Sequence, residues 1–365
     1  MGITLSHASA LEVLRKLRVD GDDISAMDRA GLKQPQVWEG KRWTPHAFES
    51  SSWRWQQPSK RDPLHILVPN QSGRPSMQGL IAHTSAKALP AYAIVWLDEF
   101  SSMVSPEYLF LQMASELSLP SLIMLGHELC GNFALPPRDD GSPSANQVLP
   151  VTSVSRILDF LNAMHMSWGA KRARNALWYV SNYAASKPEA VLAAVYSLPR
   201  IEHGYGLAPL TLNKRIDVTG STDARNKSRY PDLLFSFAPV GINYDGEGHL
   251  DLRGIVRDAQ AVALAQGEDR AMRKVELANQ LLLVRSKVVD DITRNRQLAT
   301  RGYLVLPMTK ENLYDEGSLD LFTTQMLECA HSVFDADVED DIRAIEDKSE
   351  ANKRQELVRE LLAWR

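Results

Sequence analysis

The sequence predicts a mixed α/β protein in two domains, and three observations lead there. At 365 residues the chain is longer than one hydrophobic core usually supports. Its second half alternates short apolar runs with helical periodicity, the pattern of strands and helices that share a sheet. A Pro-, Gly-, Asp- and Ser-rich stretch, LPPRDDGSPSANQVLP (135–150), has the composition of a loop or linker. The domains expected are a mixed α/β N-terminal domain at 1–165, a second domain at 166–330 and a helical tail at 331–365.

Taken in order, SALEVLRKLR has the spacing of a short amphipathic helix, and PLHILVPN that of a strand ending at a proline. AYAIVWLDE is a second strand. SPEYLFLQMASEL is a helix with Ser105 as N-cap and Pro106 at its first position, where a missing N–H costs nothing. TSVSRILDFLNAM and GAKRARNALWYVSNYA give two helices that could bridge the halves. From Ser186, SKPEAVLAAVYSL is a helix and GLAPLTLNKRIDV leads into an extended segment. A hairpin, a helix near 252–266 and a long helix from about 270 to 301 come next. Gly302 stops that helix, YLVLP is a further strand, and the tail ends in the helical RQELVRELLAW.

Composition excludes several classes of function. The 44% hydrophobic and 24% charged fractions are those of an ordinary globular chain. A net charge of −4 gives no global signature of nucleic-acid binding, so any such surface must be a local patch. Cys130 and Cys329 are too few for a disulfide framework or a four-cysteine zinc site, and a reduced, cytoplasmic chain is expected. The start, MGITLSHASALEVLRKLRVDGDD, turns polar too soon for a signal peptide, and the apolar run LSLPSLIMLG is broken by Pro120. No membrane partner is expected. GHELCG (126–131) lacks the i, i+4 histidine pair of a helical zinc site and is assigned to structure.

The segment RYPDLLFSFAPVGINYDGEGHLD (229–251) carries the chemistry. It has the apolar pattern of a buried hairpin but holds Asp232, Asp245, Glu247, His249 and Asp251. With LLFSF and GINYD as strands around APVG, Phe237 pairs with Ile242. Asp232 and Asp245 then lie close to opposite each other. Alternation puts Leu233, Phe235, Phe237, Ile242 and Tyr244 on one face and Asp232, Asn243 and Asp245 on the other. Like charges facing across a ladder destabilise it, so a compensating cation is expected. A divalent metal held by both carboxylates is one answer; pairing with Arg229, Arg253 or Arg257 is the other.

These residues resemble a known family. YPDLLF…INYDGEGH is similar to the hairpin of endonuclease-like domains related to very-short-patch-repair endonuclease, in the PD-(D/E)XK superfamily. Asp291, Arg294, Leu298, Gly302, Tyr303 and Val305 stand at the spacing of that group's later helix and strand. The resemblance covers about 170–310. It implies a restriction-endonuclease-like fold and a Mg²⁺-dependent phosphodiesterase, with Asp232 as central metal ligand and Asp245 as a second acid. His249 would lie near the attacked phosphate, and Glu189, in the S-x-x-E of Ser186–Glu189, would reach the metal. Ser186–Glu189 is also a capping box. The family's usual glutamate is replaced by Asn243, an uncharged oxygen donor, and Glu247 could substitute for it. No lysine completes a (D/E)xK motif.

A basic run before Asp232, with Lys214, Arg215, Lys227 and Arg229, suits a phosphate backbone, and Arg294 is added from the later helix. Asp291 and Arg294 are spaced for an i, i+3 ion pair. Residues 60–165, through PLHILVP, VSPEYLFLQMA and LPVTSVSRILDFL, resemble a region found ahead of such domains and in AbiEi-type antitoxins, proteins whose N-terminal winged helix binds DNA. The expected function is therefore a metal-dependent nuclease acting on DNA or RNA. Its alternative is a catalytically degenerate nuclease fold that binds nucleic acid, a toxin or another protein as an antitoxin-like regulator.

Overall fold

A computed structural model describes residues 3–22, 24, 48, 53–68, 70–71, 74, 77–85, 88–98, 101–138, 141, 143–218, 227–245 and 252–365. The fold is mixed α/β, with twelve α-helices among the described residues. The chain divides into two compact units, Met1–Gly206 with Glu356–Arg365, and Leu207–Gln355. That division falls after Gly206, whereas the sequence places the boundary at 165/166.

The first unit opens with β1 (Ile3–Leu5), α1 (His7–Asp20), β2 (Leu64–Val68), β3 (Leu80–Thr84), β4 (Ile94–Trp96) and β5 (Ser101–Val104). The five strands form one sheet in the order β3-β2-β1-β5-β4. β1 runs antiparallel to β2 and parallel to β5, and β2 runs parallel to β3. All three β1 residues are buried, as the central strand of a covered sheet must be. Next come α2 (Pro106–Met113), α3 (Leu119–Cys130), β6 (Phe133–Ala134), β7 (Ala145–Asn146), α4 (Val154–Ala163), α5 (Ala170–Leu177) and α6 (Lys187–Ser197).

Local signals set these helix starts. Ser105 accepts the Tyr108 N–H at the head of α2, with Pro106 beside it, and Ser118 does the same for Ser121 ahead of Pro120 in α3. Pro120 therefore starts a helix rather than merely breaking an apolar run. The 135–150 stretch is a loop inside this unit, closed by β6 pairing with β7.

The core of this unit holds a buried ion pair. Arg15 of α1 donates to Glu128 of α3 through Nε (2.8 Å) and Nη2 (2.7 Å), and both side chains are 1% exposed. Trp364 Nε1–H and the Leu135 N–H complete the carboxylate's partners at 3.3 and 3.2 Å. Arg18 reaches the Glu128 and Gly131 carbonyls. GHELCG is thus structural: burial pushes His127 down to about 4, which keeps it neutral, and pushes the Cys130 thiol up.

The second unit contains β8 (Leu210–Leu212), β9 (Ile216–Asp217), β10 (Ser228–Arg229), β11 (Leu233–Phe235), β12 (Val240–Asp245), α7 (Leu252–Leu264), α8 (Gly267–Ala299) and β13 (Leu304–Thr309). After these come α9 (Lys310–Tyr314), α10 (Ser318–Phe334), α11 (Glu339–Glu346) and the first part of α12 (Lys348–Ala363), whose residues from Glu356 belong to the first unit. Its main sheet has the order β13-β12-β11-β8. β8, β11 and β12 are antiparallel neighbours, while β12 and β13 are parallel. A parallel pair needs a crossover, and α7 and α8 supply it. Gly302 closes α8 at φ +83°, a backbone that glycine adopts without strain. Within this unit the tail is tied by Arg354, which donates to both Asp320 oxygens at 2.9 and 3.0 Å. No helix among the described residues is long and apolar enough to cross a membrane.

Replacing Glu128 by Gln leaves Arg15 as an uncompensated buried cation, which costs about 3–5 kcal/mol. We expect a matching fall in the urea midpoint of the first unit. A loss under about 1 kcal/mol would show that the pair does not hold its core.

Candidate functional site

Asp245 ends β12 and Asp232 stands just before β11, but the register differs from the one expected. Leu233 pairs with Ile242 and Leu234 with Gly241, so Asp232 faces Asn243 rather than Asp245. The turn is Ser236–Pro239, and Phe237 stands outside the strand, 37% exposed. The physical reason is Pro239: without an N–H it cannot extend the ladder, so β12 begins at Val240. Asp232, Asn243 and Asp245 still share one face, as alternation requires. Asp245 is the diagonal neighbour of Asp232, a relation that puts Cα atoms roughly 7–8 Å apart.

The same face continues into an apolar patch. Leu234 packs with Ile216, Val218, Val305 and Leu298 of α8, with Tyr303 against them. Residues Lys287, Asp291, Asn295 and Leu298 recur at three- and four-residue spacing, which lines up one stripe of α8. Leu298 meets the apolar patch, Asn295 Oδ1 lies 3.4 Å from Asn243 Nδ2, and Lys287 Nζ lies 3.4 Å from Asp245 Oδ1. α8 therefore changes from apolar to polar contacts along the sheet, and its polar end lies over the acids.

Each sequence-predicted residue has a definite place. The Asp232 carboxylate accepts the Tyr244 N–H at 2.6 Å, and its backbone N–H donates to Asn243 Oδ1 at 3.4 Å. Asn243 is 3% exposed. Asp245 and Lys287 are each about one-third exposed, so their ion pair is solvated and weak. Glu247 and His249 lie outside the described residues. Glu189 belongs to the first unit. Its oxygens accept the Ala185 N–H (2.9 Å) and the Ser186 hydroxyl (2.8 Å) at the head of α6, while its own N–H donates to Ser186 Oγ. Ser186 thus caps α6, and Glu189 reaches back to the Ala185 N–H, one residue before the Ser186 N–H that a capping box uses.

Lys214, Arg215 and Lys227 are exposed, as a phosphate-facing patch requires, with Arg215 hydrogen-bonded to Ser228 Oγ. Arg229 is not. It is 6% exposed, donates to Gln297 Oε1 at 2.7 Å, and forks onto Asp290 at 3.0 and 3.2 Å. Its strand partner, Ile216, sits in the apolar cluster, and the guanidinium turns onto α8 instead of solvent. Arg294 pairs with Asp291 at 3.0 Å.

Sequence reasoning missed two features. Lys287 supplies the cation near Asp245 from a helix more than forty residues away, where only the i, i+4 relation to Asp291 pointed at the site. In the first unit, His7, His65, His83 and Glu116 each offer a ligand atom within 4.8 Å of the others. A 420 Å³ cavity, whose lining includes His65, Lys16, Arg54, Arg61 and Arg138, also lies in that unit. In comparisons with known proteins, no family model, no curated protein and no solved structure matches the chain.

The two arginine–lysine contacts with acids should differ in weight. Arg229→Leu removes buried hydrogen bonds to Gln297 and Asp290 and is expected to lower stability by about 1–3 kcal/mol. Lys287→Met should cost under about 1 kcal/mol. Denaturant titration of the full chain reads both, and the reverse order would contradict this geometry.

Proposed function

We propose that the second unit is a Mg²⁺-dependent site for phosphodiester cleavage in nucleic acid, with DNA favoured over RNA. The observation that carries this reading is the meeting, on one face of the sheet, of Asp232, Asp245 and the Lys287 ammonium. Two hard carboxylates are the donors such a cation takes, its remaining positions being filled by water and phosphate oxygens. When bound, it would supply activation of water and neutralise charge on the departing oxygen.

The chain's own residues divide the remaining tasks. Asp232, fixed by the Tyr244 N–H, has a set orientation before any substrate arrives. Asn243 is held between the Asp232 N–H and Asn295, so it buttresses the strand end more than it reaches outward. Lys287, beside Asp245, would hold a proton near a non-bridging phosphate oxygen. Lys214, Arg215 and Lys227 would track the backbone through exposed charge. The two free thiols, Cys130 and Cys329, suit a cytoplasmic location.

A second reading, recognition without cutting, is favoured by the same contacts. The Asp232 carboxylate accepts a backbone N–H, Asp245 faces a lysine, and the neutral Asn243 contributes no charge. On this reading the unit binds nucleic acid, a toxin or another protein as an antitoxin-like regulator.

The test is cleavage of supercoiled plasmid and of a structured RNA in Mg²⁺ or Mn²⁺, with binding measured alongside. Cleavage that falls at least about 100-fold in Asp232→Ala supports the nuclease. Salt-dependent binding without cleavage selects the second reading. Absence of both binding and cleavage overturns the nuclease and leaves of the second reading only a protein partner.

A further inference from the structure

In the first unit, separate chain segments bring three histidines together. β2 and β3 pair in parallel with His65 opposite Ile81, so His83, two residues on, shares His65's face as its diagonal neighbour. The Ser6 N–H donates to the His65 carbonyl at 3.0 Å, and the chain then turns into α1 at His7. His7 is held at φ +48°, a conformation that a non-glycine residue adopts only at a cost. Its N–H donates to Gln112 Oε1 at 3.1 Å, which anchors that turn to α2. Glu116 follows three residues after the end of α2.

The donor atoms gather in one place, and the stacked rings need only tilt for their in-plane lone pairs to meet at one ion. His7 and His83 stack with ring centroids 3.5 Å apart, His65 Nδ1 is 3.0 Å from His83 Nε2, and His7 Nε2 is 3.8 Å from Glu116 Oε1. One donor atom from each of the four lies within 4.8 Å of all the others. The outer nitrogen of His7, Nδ1, is 3.2 Å from Ser6 Oγ, the kind of contact that fixes a ligating imidazole's orientation from behind. We propose that His7, His65, His83 and Glu116 form a binding site for a zinc-class divalent transition metal.

The chemistry of the donors selects that class. Three imidazole nitrogens and one carboxylate suit zinc in a four-coordinate arrangement, with metal–ligand distances near 2.0–2.2 Å. Calcium and magnesium prefer oxygen-only shells. Burial and the neighbouring rings push His7 down to about 3 and His83 to about 4, and burial also lowers His65. Burial disfavours the charged form of each ring, the form that offers no lone pair to a metal. A shared proton between His65 and His83 would account for that pair, but not for the strained backbone that brings His7 onto it. Glu116 is the most exposed of the four, so the site opens to solvent on its side.

The experiment uses full-length protein without an affinity tag, stripped by chelator and titrated with Co²⁺ and then Zn²⁺. One equivalent of Co²⁺ with the intense visible bands of tetrahedral coordination, displaced by Zn²⁺, is expected. His83→Gln, on the edge strand β3, should weaken Zn²⁺ binding at least about tenfold while circular dichroism stays unchanged. His65→Gln serves as the second variant should His83→Gln fail to fold. Substoichiometric binding, weak octahedral bands, or affinity unchanged in a folded His variant would overturn the proposal.

Discussion

The pair between Arg15 and Glu128 is the constraint around which the first unit is arranged. Two charges at 1% exposure have lost their water, and their mutual bidentate contact is what offsets that loss. The pair joins α1 to α3, and Trp364 brings the last residues of the chain onto the same carboxylate while its ring lies 5.4 Å from the Arg15 guanidinium. An N-terminal helix, a central helix and the C-terminus are thereby committed to one core. The second unit uses the device in milder form: Arg229 fastens β10 to α8, and Arg354 fastens α12 to α10. In each case an arginine fork spans elements far apart in sequence, which apolar packing alone would align less specifically.

The function proposed for the second unit rests on how α8 lies on its sheet. One stripe of the helix begins with the apolar Leu298, passes through Asn295 and reaches Lys287, while the strands beneath run from Leu234 to Asp245. The apolar end fixes the helix; the polar end is then free to carry chemistry. Asp232 sits where these requirements meet, since its carboxylate both accepts the Tyr244 N–H and stands at the mouth of the hairpin. The first unit holds a different kind of cluster, with nitrogen donors on a separate sheet. The two clusters differ in donor chemistry, oxygen in one and mainly nitrogen in the other.

Much of this was legible in the sequence where the signal was local. Ser105 with Pro106 and Ser186 with Glu189 mark helix starts because a cap involves residues only three or four apart. The shared face of Asp232, Asn243 and Asp245 followed from strand alternation, which survives an error in register of an even number of residues. The register itself was missed because β11 has only three residues, and its alignment is set by β8 and β12 together with the Pro239 turn. Lys287 and the histidine cluster were out of reach. Positions 7, 65, 83 and 116 have no mutual spacing that a helix or strand period would reveal; only sheet topology unites them.

The central claim is that Asp232 and Asp245 form the cation-binding end of the second sheet. An amide-resolved Mg²⁺ titration tests it most directly, because nitrogen-rich clusters respond little to that ion. The account predicts that the largest shift falls on the Tyr244 amide, whose N–H donates to Asp232, with Asp245 next, and that Asp232→Asn abolishes both. No shift at millimolar Mg²⁺, or shifts centred away from β11 and β12, would contradict it.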